Sequence, residues 1–401
     1  MGGDAAGVSG LSATAPVWDR YGGFPQLKAR LALVLLAMCL VFAAWAPGMA
    51  PPPAEVPQIA PPVKDVAHGS APPVTVSFED DGKDNDLRFY RLVIERVKRG
   101  DDYYVTAVQL QRANGYPVAP ALTVRLPTLA LASAMLGTTG IAITAILLLA
   151  AIFISNYRRF DAEPGGENFR LFGLALLFVG LSTAINPKFA VLHEVWAAQL
   201  MALSFGLHRP VAAGEPGGKW IGAWLAAAAA LSIRELALPF VLLMAAYALW
   251  RRSWREGAAW TGLIVLFTIG MTIHLYFAAA QIIPGDPVSP PWLVLGGISA
   301  FLHKVIYSSS LNLLPIPLAG PAVILALFGW TGWKSQAGTF ASLLTFGYAF
   351  AFMIAGRANN FYWGVVILPI LFMGLAMVPM AMKSLWKNAV GLRSVRGGAR
   401  V

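Results

Sequence analysis

The chain has 401 residues, 57% hydrophobic and 12% charged, a balance that excludes a soluble enzyme and indicates an integral membrane protein with spans of about 20 apolar residues. The formal charge of +10 does not point to nucleic acid, because most basic residues flank apolar runs as topology signals do. The single cysteine, Cys39, lies inside the first apolar run, which rules out an intramolecular disulfide and a cysteine-built metal site.

Residues 1–30 form a Gly/Ala-rich segment ending in Lys28 and Arg30, and 31–50 supply the first span. Pro47-Gly-Met-Ala50 has the look of a cleavage site. The long segment before the run, and the run's own length, favour a retained signal-anchor. Residues 51–76 read as an extended Pro/Ala/Val linker. Residues 77–136 make a long outer loop, and within it Asp84 to Pro127 is the one long polar stretch of the chain. Its pattern predicts two amphipathic helices. The first, 87–99, follows Asp84, Asn85 and Asp86 and ends at Gly100; the second, 103–114, follows Asp101 and Asp102 and ends at Gly115.

The apolar run 126–154 is too long for one ordinary span. Gly137-Thr-Thr-Gly140 divides it into a surface-lying helix and a second span. Further spans are expected near 172–185, 191–207, 220–233, 237–250, 259–279, 317–330, 340–355 and 363–380. An outer loop at 281–291 carries Asp286, and an amphipathic helix near 293–308 carries His303 and Lys304. The bundle thus occupies 137–380, with a basic tail at 381–401. The expected fold is an all-α polytopic membrane protein of about ten spans with both termini cytoplasmic. Charge asymmetry supports this orientation: Arg158, Arg159, Arg170, Arg209, Lys219, Arg251, Arg252, Arg255 and Lys334 fall on the inner side. The short outer turns hold only Lys188, Arg234, Lys304 and Arg357. No internal repeat marks a transporter built from inverted halves.

With that topology the unusual polar residues gather at the outer interface. The first loop holds Asp84, Asp86, Asp101, Asp102 and Arg125. The outer turns add Lys188, His193, Glu194, Arg234, Glu235, His303, Lys304, Arg357, Asn359 and Asn360. Charges at a membrane edge are costly and face the protein interior or a watery cavity. A ligand part lipid and part polar suits such a site. Arg125, Arg234, Lys304 and Arg357 are candidates to hold a phosphate, and a carboxylate nearby is a candidate general base. His193-Glu194 has no second histidine at metal spacing, so zinc is not expected. His274 reads as a satisfied polar residue near the outer end of its span.

The spacing Asp86-Leu-Arg-Phe-Tyr90, in the first outer loop, resembles the Asp-x-x-x-Tyr motif of the GT-C superfamily of polyprenyl-phosphate-sugar-dependent glycosyltransferases. This group includes the aminoarabinose transferases and protein O-mannosyltransferases. Tyr116-Pro117, Pro120 and Arg125-Leu-Pro127 resemble the proline-rich end of that loop. His193-Glu-Val-Trp196 and Asn360-Phe-Tyr-Trp-Gly364 also fit the architecture. The chain departs from the pattern where Leu87 stands in place of a second acid, and where Tyr-Pro and Ala-Pro replace Lys/His-Pro-Pro. The resemblance implies a GT-C-like bundle and an inverting transfer from a polyprenyl-phosphate sugar to a hydroxyl on a lipid, glycan or protein on the non-cytoplasmic face, and the Ala/Gly/Pro-rich composition makes that the periplasmic face of a bacterial inner membrane. It implies Asp86 as base with Asp84 beside it. Tyr90, Asp101, Asp102, His193, Glu194, Glu235, His303, Asn360 and Trp363 join the four cations in binding substrate. No organic cofactor is expected, and dependence on a divalent cation stays open.

Blander readings stand beside these. Asp86, Asp101 and Asp102 are all good helix N-caps, and Arg234-Glu235 is equally a paired turn. His303-Lys304 equally snorkels to lipid phosphates. Two rival functions also stand: a flippase for lipid-linked saccharide, and a non-catalytic partner in glycan assembly.

Overall fold

In the computed structural model, residues 16–49, 85–209 and 219–391 are described. Asp84 and the Pro-rich linker lie outside the described residues, as does the chain after Gly391. The described residues form α1 (Gln26–Trp45), α2 (Asn85–Lys98), α3 (Tyr103–Ala113), α4 (Thr128–Asp161), α5 (Arg170–Gly180) and the short α6 (Ser182–Ile185). They continue through α7 (His193–Leu207), α8 (Ile221–Ile233), α9 (Leu238–Trp250), α10 (Trp254–Ala279) and α11 (Gly297–Tyr307). The last are α12 (Ile316–Gly332), α13 (Gln336–Ile354), α14 (Leu368–Met373) and α15 (Val378–Val390). Among the described residues there are isolated bridges but no named strand.

Among the described residues, five helical stretches are long and apolar enough to cross a membrane: Gln26–Met49, Ala121–Asp161, Trp254–Ala279, Gln336–Ile354 and Asn359–Val390. Shorter apolar helices, Arg170–Gly180, Ile221–Ile233, Glu235–Trp250 and Ile316–Gly332, accompany them. This is the build of an α-helical membrane protein. One large apolar core, running from Leu36 through Trp260 and Trp330 to Met377, holds the bundle together.

The division of the 126–154 run is visible as a break inside α4, where Gly137 has φ 65° and ψ −179°, a conformation that a side chain resists. The turn before it buries Leu129, Ala130 and Ser133 and exposes Leu131, Met135 and Leu136, as a helix laid along a surface does. The last helix extends past the expected end of the bundle at 380. In α15, Ala381, Leu385 and Ala389 pack on Tyr21 and Ala29, so their spacing makes the start of the basic tail a packed helix.

The helices connect two polar ends. At one end Glu163 pairs with Arg159 at 3.0 Å and accepts the free amides of Gln336 and Ala337 at the start of α13. There His208 meets Glu256 at 2.7 Å, Trp333 donates to the Pro164 carbonyl, and Asp19 accepts from Ser384. The other end is capped by α2 and α3. Phe89, Val93, Tyr103, Ala107 and Val108 make a small second core with Val118, Val124, Ala130 and Ala278. His274 fastens this cap to α10 through Tyr104 (3.3 Å) and the Val124 carbonyl (3.1 Å), as the reading of a satisfied polar residue anticipates.

Candidate functional site

A cavity of about 860 Å³ lies between the α2–α3 cap, the 281–296 loop and the segment 357–363. Three ties shape it. Arg112 clamps Asp286 through two bonds of 2.5 and 2.9 Å, fixing the loop to α3. The amide of Val118 donates to Pro287 O (2.8 Å), and that of Ser289 to Ala119 O (2.7 Å). On the far side the Gly356 amide donates to Trp292 O at 2.8 Å. The loop is therefore a fixed wall.

Of the sequence-derived candidates, Asp86, Tyr90, Arg125, His193, Arg357, Asn360 and Trp363 line this cavity. They come from four separate parts of the chain. Asp86 sits exposed in the first turn of α2, and its carboxylate accepts the Tyr116 hydroxyl at 2.7 Å. Burial, and then the Asp86 charge, push the Tyr116 phenol well up, so that hydroxyl remains a donor. Tyr90 lies one turn along α2 from Asp86, as helical spacing requires.

The centre of the site is Arg125. Its Nε donates to the Tyr90 hydroxyl and its Nη2 to the Tyr362 hydroxyl, both at 3.2 Å. Tyr362 also accepts from Asn360 Nδ2 at 3.3 Å. Each phenol thus spends its oxygen as acceptor and keeps its own proton uncommitted. Burial pushes the Tyr90 phenol up to about 12, with Arg125 opposing, so its proton stays on at neutral pH. Arg125 Nη1 and these two hydroxyls form a donor set with no carboxylate in salt-bridge contact among the described residues. The backbone beneath is held by Tyr103, whose hydroxyl donates to Arg125 O at 2.7 Å. His193 packs its ring 5.2 Å from that of Tyr90, and its buried imidazole lies against the Leu126 backbone.

The remaining candidates lie elsewhere. Arg234, expected to hold a phosphate, is fully buried and neutralised: Glu194 pairs with its Nε at 2.6 Å, and Glu235 with its Nη1. Glu194 and Glu235 are thereby spent on the helix ends around Arg234 and do not line the cavity. Lys304, also expected on a phosphate, is buried and donates to Gly356 O at 2.9 Å and Phe352 O at 3.5 Å. The Phe352 carbonyl lies in the last turn of α13 and that of Gly356 just past it, where a cation is favoured. The lysine thus props up the segment bearing Arg357 and Trp363 from behind. His303 stacks on Tyr307 within its own helix, ring centroids 4.3 Å apart. Asp102 caps α3 by accepting from the Val105 amide at 2.9 Å, and Asp101 lies exposed, 3.9 Å from Arg96. The capping reading describes Asp102 alone; Asp101 faces Arg96 instead, and neither lines the cavity. Among the described residues no three His, Cys, Asp or Glu side chains converge as metal ligands.

Tyr116, Tyr362, Trp292, Ser289 and Asn359 also line the cavity without having been singled out as binding residues. Tyr116 carried a usable signal, since it follows the helix-ending Gly115 and returns toward the start of α2. Tyr362 and Trp292 had none that separates them from ordinary interface aromatics. No family model, curated protein or solved structure matches the chain.

Proposed function

We propose that the protein is a membrane glycosyltransferase of the GT-C type, moving a sugar from a polyprenyl-phosphate carrier to a hydroxyl. The observation that carries this reading is the pairing, within one cavity, of a carboxylate at the mouth with a carboxylate-free cationic cradle inside. Arg125, with the Tyr90 and Tyr362 hydroxyls, receives the phosphate through charge-assisted bonds. Asp86, oriented by Tyr116, takes the proton from the acceptor hydroxyl. The hydroxyl oxygen then bonds to the anomeric carbon as the bond from that carbon to the phosphate oxygen breaks. The electron pair leaves with the polyprenyl phosphate, whose growing charge the cradle stabilises. Attack opposite the leaving group inverts the anomeric centre.

In this reading the bundle crosses a bacterial inner membrane about ten times. The short helices serve as spans alongside the five long ones, and the cavity faces the periplasm. Arg234 and Lys304 serve the framework, and the donor's lipid is the partner that the cavity shares with the bilayer. The test is Asp86→Asn in reconstituted protein supplied with radiolabelled polyprenyl-phosphate sugars and a panel of hydroxyl acceptors. Transfer is expected in the parent and lost in the variant, with binding of bare polyprenyl phosphate retained. Full transfer by Asp86→Asn removes the assignment. Movement of labelled lipid across the bilayer without transfer replaces the enzyme with a flippase.

A further inference from the structure

We infer that the cavity accommodates a second anionic group, recognised by Arg357, so that either the transferred sugar or its acceptor is acidic. This rests on the transferase reading for the identity of the first anion, the phosphate at Arg125. Arg125 and Arg357 line one cavity, and neither is paired with a carboxylate among the described residues. The acid beside them, Asp86, is already engaged by Tyr116.

The two guanidiniums are organised separately. Arg125 is held by Tyr90 and Tyr362, whereas Arg357 reaches the opposite wall, its Nη2 donating to Ser289 Oγ at 3.4 Å. Held against different walls of the cavity, α2 for Arg125 and the 281–296 loop for Arg357, the two guanidiniums offer two anchoring points.

Arg357 is also held in place with its charge uncompensated. Its backbone amide donates to Asn360 Oδ1 at 3.2 Å and its carbonyl accepts from the Asn360 amide at 3.0 Å. The preceding Gly356 is tied to both Trp292 and Lys304. The Arg357 Nε is buried with no hydrogen-bond partner among the described residues. A partly desolvated guanidinium without a counter-ion is costly, and its planar fork suits a carboxylate or phosphate. A cavity of about 860 Å³ has room for a phosphate-linked monosaccharide and a second group beside it.

The experiment uses the full chain in lipid nanodiscs with three probes: bare short-chain polyprenyl phosphate, the same lipid carrying glucose, and the same lipid carrying glucuronate. The parent is expected to bind the glucuronate lipid about tenfold or more tightly than the glucose lipid, the range of one charged hydrogen-bonding contact. Arg357→Gln is expected to abolish that preference while leaving the bare phosphate unaffected, with Arg357→Lys retaining part of it. Should the preference appear instead among acceptors, carboxylate- or phosphate-bearing over neutral, and vanish in Arg357→Gln, the acid belongs to the acceptor. Equal treatment of acidic and neutral partners by the parent on both sides overturns the inference, as does an Arg357→Gln variant that keeps the preference. Failure of bare polyprenyl phosphate to bind at all overturns the transferase reading, and this inference with it.

Discussion

Replacing Arg125 by Gln tests the centre of the site, because the structure separates its binding role from its structural one. The backbone is anchored through the Arg125 carbonyl, which accepts from Tyr103 and survives any change of side chain. The side chain's partners are two phenol oxygens facing a cavity, which water can satisfy after truncation. Loss of stability should therefore stay within about 1 kcal/mol, as for one modest hydrogen-bond rearrangement. Binding should suffer more. A charged hydrogen bond to phosphate contributes about 1.5–3 kcal/mol, and at 1.4 kcal/mol per decade the affinity for bare polyprenyl phosphate should fall roughly 10- to 150-fold. Arg125→Lys should fall between, since a lysine cannot span Tyr90 and Tyr362 while offering a further N–H. Calorimetric titration of nanodisc-embedded protein with a short-chain polyprenyl phosphate reads the affinity, and a thermal melt reads the stability. Unchanged affinity in Arg125→Gln, with the fold intact, refutes the cradle.

Three further outcomes follow from the framework. Glu194→Gln leaves buried Arg234 still paired with Glu235, so the bundle should lose only about 1 kcal/mol, the loss of one charged contact, seen as a slightly lowered melting temperature; a drop of several kcal/mol means that Glu194 is the counter-ion that matters. Gly320→Ala should destabilise by about 1–3 kcal/mol through overpacking, because a Cβ there would run into the Ala43 carbonyl of α1; a normal melt would mean that α1 is free to move away. Burial pushes the Lys304 ammonium down to about 8 from its ordinary 10.5. The folded state then releases its proton first, the unfolded state binds more protons between about pH 8 and 10.5, and this group's contribution to stability rises with pH across that window. An NMR titration of isotopically labelled lysine, with Lys304→Met assigning the signal, should show a midpoint near 8; a midpoint near 10.5 contradicts the desolvation.

Much of the architecture was legible in the residues because membrane spans and short amphipathic helices are local properties. The two cap helices, 87–99 and 103–114 by pattern, are Asn85–Lys98 and Tyr103–Ala113 in the structure, since acids open them and Gly100 and Gly115 close them. Gly137 breaks α4 where its sequence context said it should. The end of the bundle was less legible. The run 381–390 reads as the start of a basic tail, yet small and apolar residues at positions 381, 385 and 389 pack it on α1.

Composition and periodicity alone determined that the chain is a helical membrane protein, because burial in lipid demands apolar length and penalises every charge. Which charges share a site was decided only by the tertiary structure. Arg125, Arg234, Lys304 and Arg357 are alike as letters in a sequence. Their roles diverge because Glu194 and Glu235 pair with Arg234, the carbonyls at and just past the end of α13 accept from Lys304, and among the described residues no carboxylate forms a salt bridge with Arg125 or Arg357. Pairing of a charge depends on what lies within about 4 Å in space, which sequence separation does not give: Glu235 adjoins Arg234, whereas Glu194 reaches it from another helix.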